Sequence, residues 1–89
     1  MYRVYGGGAN QVGSWLTPTL PASAEAAEAS LALPPSNLAT FVSKVNVPAG
    51  TQFQIGRAAA AFGQPGGGLQ VQLLERIPTS SFEPGVPLE

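Results

Sequence analysis

The chain contains no cysteine, no histidine and no aspartate. Without Cys there is neither a disulfide nor a thiolate nucleophile, and the redox compartment is not legible from cysteine usage. Without His and Asp, a Ser-His-Asp triad, a Cys-His pair, a His-rich zinc site and an EF-hand loop cannot be assembled. The carboxylates that remain are Glu25, Glu28, Glu75, Glu83 and Glu89. Any catalysis must use these, or work through Arg, Tyr, Ser, Thr, Gln and backbone amides.

Charge is also scarce. Charged residues make up 10% of the chain, against about 25% in typical globular proteins. The formal net charge of −1 leaves no broad electrostatic footprint for nucleic acid or an anionic membrane. No run approaches the roughly 20 apolar residues needed to span a bilayer. No secretory signal is visible, because Met1 leads directly into a strand-like segment. Met1 and the terminal Leu88-Glu89 read equally well as native ends or as additions to a domain cut from a longer chain. In the second case the delivery signals lie elsewhere.

A length of 89 residues gives room for one domain, residues 1–89, with one core. Such a domain buries only roughly 60–65% of the surface its unfolded chain exposes. The 11 Gly and 9 Pro predict a chain rich in turns, while the patterned apolar runs predict a folded one. Tyr2-Arg3-Val4-Tyr5 reads as a short strand that stops at Gly6-Gly7-Gly8. Ser14 to Thr17, before Pro18, reads as a second extended segment. Ser23 offers an N-cap for a helix from Ala24 to about Leu33, with Glu25 complementing its dipole and Pro34-Pro35 ending it.

The second half reads as β. Phe41, Ser43, Val45 and Val47 alternate with Val42, Lys44 and Asn46. Phe53 and Ile55 alternate with Gln52 and Gln54, predicting a half-buried strand. Ala58 to Ala61 fits a helical turn or tight packing equally. Leu69, Val71 and Leu73 alternate with Gln70 and Gln72, predicting a third strand. The tail from Pro78 to Leu88 is expected to drape over the sheet.

The most distinctive stretch is Phe62-Gly63-Gln64-Pro65-Gly66-Gly67-Gly68-Leu69-Gln70. Its three consecutive glycines allow a backbone to approach a ligand closely and to offer amides to an anion. They serve equally as a hairpin turn. The stretch is neither a Walker loop nor a dinucleotide fingerprint, since it lacks Lys-Ser/Thr and leads into a strand. Gln70 reads as an amide that orients a water or a ribose hydroxyl, or as a solvated strand residue. Arg3 reads as a bidentate clamp for a diphosphate, or as a surface charge covering Tyr2 or Tyr5. Trp15 offers a stacking face or a core anchor. Arg57 is a second cation with the same two readings.

Taken together, these residues resemble the NAD-glycohydrolase domain of the tuberculosis necrotizing toxin family. The resemblance is carried by Arg3 followed by glycines, by Gly13-Ser14-Trp15-Leu16-Thr17-Pro18, and by Phe62 through Gln70. It implies an α+β fold: a small two-sheet, ADP-ribosyltransferase-like core with one main helix. It also implies hydrolysis of NAD to nicotinamide and ADP-ribose, with NAD as substrate, no cofactor and no metal. By carry-over, Gln70 and Arg3 are the catalytic residues. Trp15, Thr17, Phe62, Gly66, Gly67 and Gly68 bind substrate. The family's typical domain is longer, and its best-known member uses a His that this chain lacks.

The same resemblance implies a toxin secreted or delivered into a target cell's cytoplasm as part of a larger protein, opposed by a cognate immunity protein. Three other functions compete with it. An ADP-ribosyltransferase uses the same NAD cleft, a metal-independent RNase toxin attacks RNA, and a β-rich binding module does no chemistry. If Arg3, Trp15 and Gln70 lie farther apart than one NAD length, the enzyme reading fails.

Overall fold

Six strands, two three-stranded antiparallel sheets and one α-helix make up the computed structural model, which describes residues 1–88. The first sheet has the order β1-β3-β6, with β1 at Tyr2–Gly7, β3 at Asn37–Lys44 and β6 at Val86–Pro87. The second has the order β2-β5-β4, with β2 at Trp15–Leu16, β5 at Leu69–Leu73 and β4 at Phe53–Arg57. A reciprocal pair of backbone hydrogen bonds between Tyr2 and Thr17, both 2.8 Å, stitches β1 to the chain just after β2. The α+β, two-sheet expectation therefore holds.

The helix α1 runs over Ala24–Leu31. The Ser23 hydroxyl accepts from the Ala26 N–H at 3.0 Å, filling one of the donors a helix start leaves open. It ends before the prolines, because Ala32 adopts a left-handed conformation and returns its N–H to the Glu28 carbonyl. The helix lies on the first sheet through Ala27, which is fully buried against Val4, Ala39 and Val42. A second cluster of Leu16, Val45, Val71, Leu73 and Phe82 fills the space beside the second sheet.

Three strand expectations need correction. Phe41 is exposed although Ser43 and Val45 on its face are buried, and Val42 on the opposite face is buried too. Val42 is buried because its face packs on the α1 cluster of Val4, Ala27 and Ala39. Before Phe41 the strand carries a bulge: Tyr5 faces Phe41, but Gly7 faces Asn37, so β3 has two extra residues around Ala39. Ala39 has φ +52° and is held by the Asn37 side chain, which accepts from the Ala39 N–H at 2.9 Å. All of β4 is exposed rather than half-buried, since it is an edge strand reaching past the core. The tail does more than drape. Val86–Pro87 pairs with Phe41 and Val42 as an edge strand, where a proline is tolerated.

Candidate active site

The register of the second sheet decides which side chains meet. Trp15 lies opposite Gln72 and Leu16 opposite Val71, so Trp15 and Gln70 project from one face while Leu16 and Val71 enter the core. Across that face stand the end of α1 and the segment after it. Between them lies a cleft of about 450 Å³ whose lining includes Arg3, Trp15, Leu33, Asn37, Phe62 and Gln70. That volume falls in the roughly 300–1,000 Å³ range of small-molecule sites. Four of the expected site residues thus share one cleft, although they lie far apart in sequence. Arg3 is the charged residue among those lining it, and no carboxylate is found there among the described residues.

The Arg3 head is held at the cleft wall by two backbone carbonyls. Its Nε and Nη2 donate to the Asn10 carbonyl at 3.2 and 3.0 Å, and Nη1 donates to the Trp15 carbonyl at 3.1 Å. A guanidinium has five N–H donors, so two remain beyond these bonds. The partners are neutral carbonyls, which leave its positive charge in place. Burial lowers its pKa from the usual arginine value by penalising the charged form.

Phe62 reaches the cleft through an unusual turn. Ala61 and Gln64 exchange two backbone hydrogen bonds, of 3.2 and 2.8 Å, across Phe62-Gly63. Both central residues have positive φ, +53° and +74°. That is the signature of a type I′ hairpin turn, which favours Asn-Gly over any bulky residue. Holding a phenylalanine in the left-handed region costs on the order of 1–3 kcal/mol. Phe62 is 61% exposed and Trp15 47% exposed. Two aromatic surfaces at one cleft, one of them held by a strained backbone, are poorly explained by core packing alone.

The Gly-rich loop serves a different purpose from an anion cradle. Gly66 N–H donates to Ala29 O, Gly67 N–H to Ala58 O and Gly68 N–H to Ser30 O, all at 2.8–2.9 Å. The amides of Gly66 and Gly68 therefore cap carbonyls that the end of α1 leaves open, while that of Gly67 ties the loop to the residue after β4. The glycines are required by closeness: a Cβ on Gly68 would sit 2.8 Å from the Ser30 carbonyl, and one on Gly66 would sit 2.5 Å from that of Ala58. Arg57 braces the same loop, donating to the Gly67 carbonyl at 2.9 Å, and does not join Arg3. Thr17 is buried, and its hydroxyl donates to the Leu69 carbonyl at 2.9 Å, fixing the residue before Gln70. Among the described residues the Gln70 amide itself has no hydrogen-bond partner, unlike that of Gln11, which bonds Ser43 and Glu83. Gln70 is thus held by its backbone and free at its tip.

Of the loop from Ala9 to Ser14, the sequence motif takes in Gly13 and Ser14 and leaves Ala9 to Val12 without a role in the site. The loop forms the wall that Arg3 clasps, and Gln11 fastens it to Ser43 Oγ at 3.1 Å and the Glu83 carbonyl at 2.9 Å. Beyond that wall is a larger cavity of about 540 Å³, lined in part by Val12, Ser14, Glu75, Arg76 and Phe82. None of the expected site residues lines it.

The model of the tuberculosis necrotizing toxin family matches residues 9–82. The chain belongs to the tuberculosis necrotizing toxin family. The match takes in Trp15, Thr17, Phe62, the three glycines and Gln70, and it starts after Arg3. The necrotizing toxin assignment makes this a toxin domain and leaves Arg3 resting on its place in the cleft. No curated protein and no solved structure matches the chain. Among the described residues no helix is long and apolar enough to cross a membrane.

Proposed function

We propose that this toxin domain hydrolyses NAD to nicotinamide and ADP-ribose. The observation that carries the reading is the shared cleft: two exposed aromatics, one guanidinium and one unpartnered amide converge on about 450 Å³. Trp15 and Phe62 offer flat apolar faces to the nicotinamide ring. Arg3 offers its two remaining N–H donors and its charge to the diphosphate. Gln70 presents donor and acceptor groups to the attacking water and the ribose hydroxyl. Thr17 and Gly66 to Gly68 support substrate binding from behind, by holding β5 and the end of α1.

The chemistry needs little acid or base. The bond between the ribosyl carbon and the pyridinium nitrogen breaks, and its electron pair neutralises the departing nicotinamide. The ribosyl carbon passes through an oxocarbenium-like state, as in glycoside hydrolysis generally. Water adds to that carbon and releases one proton to solvent. The leaving group carries its own activating charge, so a cleft without a carboxylate suffices. A relation of the two-sheet core to the ADP-ribosyltransferases belongs to the same proposal, as does hydrolysis without a cofactor or metal.

The test is product analysis with NAD and the purified domain. Equimolar nicotinamide and free ADP-ribose support hydrolysis. Nicotinamide release with ADP-ribose retained on a macromolecule indicates transferase activity. A transferase is disfavoured by Glu75, which lines the separate cavity rather than the cleft. A toxin that consumes NAD harms its maker, so the proposal includes an immunity protein covering the cleft near Gly66 to Gln70. It also includes delivery into target-cell cytoplasm as part of a larger protein.

A further inference from the structure

Gly13 has no left-handed backbone and no role in a turn that would demand glycine. Its surroundings demand it instead. A Cβ built there would lie 2.6 Å from Arg3 Cζ, 2.7 Å from Nη2 and 2.9 Å from Nε. Three atoms of the guanidinium at nearly equal distance mean that its plane lies against the bare α-carbon. Contacts below 3.0 Å cannot persist, so any side chain at position 13 must move the guanidinium or the loop.

We propose that Gly13 is a positioning residue, which seats the Arg3 guanidinium and thereby sets where its free donors stand in the cleft. The loop is fixed from its other side by Gln11, on Ser43 and Glu83. The Arg3 head is the terminus of a flexible side chain. Of the two, the guanidinium moves. A methyl at position 13 therefore breaks the bonds to Asn10 and Trp15 and displaces the charge, while the strands stay in place.

The part of the inference that concerns substrate rests on the NAD reading; the seating of Arg3 does not. Gly13→Ala is therefore measured with two readouts. The first is solvent exchange of the Arg3 Nε–H in an NMR spectrum, assigned by its loss in Arg3→Ala. Slow exchange in the native chain that becomes fast in Gly13→Ala supports the seat; unchanged exchange overturns it. Gly56→Ala, at a glycine with no atom within 4 Å of a built Cβ, is the control and leaves the signal unchanged.

The second readout is NAD turnover. Gly13→Ala raises KM about tenfold with little change in kcat, because a misplaced binding group weakens substrate and transition state alike. In an Arg3→Lys background, with no planar head to displace, the same substitution changes KM less than about twofold. Equal losses in both backgrounds overturn the proposal. If Gly13→Ala alone does not fold, Gly13→Ala/Arg3→Ala decides: folding equal to Arg3→Ala supports the contact, and failure of the double variant overturns it. A native chain that shows the exchange pattern but no turnover retains the seat and loses the NAD reading.

Discussion

The Arg3 guanidinium donates to the Trp15 carbonyl at 3.1 Å, joining the cationic and aromatic parts of the cleft wall. With the two bonds to Asn10, this makes Arg3 a clasp across the chain's first hairpin-like excursion. Arg3→Ala removes all three bonds. Hydrogen bonds to charged groups contribute about 1.5–3 kcal/mol when protected, and less when they are part-exposed as here. Arg3→Ala is expected to lower stability by about 1–2 kcal/mol in a denaturant titration. Trp15 fluorescence should report greater solvent exposure in the same variant. An unchanged midpoint and spectrum would remove the clasp.

Phe62 sits at a turn position that favours asparagine. Phe62→Asn is expected to raise thermal stability, by about 0.5–1.5 kcal/mol, through relief of left-handed strain. It should also raise KM for NAD by about tenfold, through loss of the stacking face. The opposite signs are the test. A variant that loses stability together with affinity would show that Phe62 serves the fold.

Thr17→Val deletes the donor to the Leu69 carbonyl while keeping the side-chain volume. The carbonyl is left without that partner, at an expected cost of about 1–3 kcal/mol. Turnover should fall with little change in KM, since the strand carrying Gln70 loosens. A silent substitution would mean that β5 is positioned by the sheet alone.

Gly68→Ala separates a helix cap from an anion cradle. Its methyl would press on the Ser30 carbonyl, so stability should fall by 2 kcal/mol or more, on the order expected for overpacking. Heat denaturation measures it. Loss of NAD affinity with unchanged stability would restore the cradle.

Much of this was legible in local sequence. Ser23, the alanine run, and the alternation of Leu69, Val71 and Leu73 each encode their element through neighbours a few residues away. The bulge at Ala39 was invisible, because its support comes from the Asn37 side chain and its only sequence trace is an alanine in a β-like run. Exposure of Phe53 and Ile55 was equally hidden, since alternation reports a two-faced strand and not whether anything covers the apolar face. The glycines announced close approach; what they approach, the carbonyls of Ala29, Ala58 and Ser30, depends on where α1 and β4 end. Arg3, Trp15, Phe62 and Gln70 were named from type and motif. That they meet is a consequence of sheet order, which no local pattern contains.

The cleft lining holds no carboxylate among the described residues, and the chain has no histidine. Burial lowers the pKa of Arg3 but arginine begins far above neutrality. The sign is clear: the unfolded chain holds this proton longer, so its contribution to stability rises with pH at the alkaline extreme. Turnover should therefore be flat from about pH 6 to 9. A bell-shaped profile within that window would place a titrating acid or base in the reaction.

Gln70→Ala, assayed for nicotinamide release and for NAD binding side by side, tests the central claim most directly. The amide is free at its tip and held by its strand, so its loss should lower turnover by about a hundredfold or more while NAD still binds and the fold is kept. Undiminished release by Gln70→Ala, or no release by the native domain, would contradict the account.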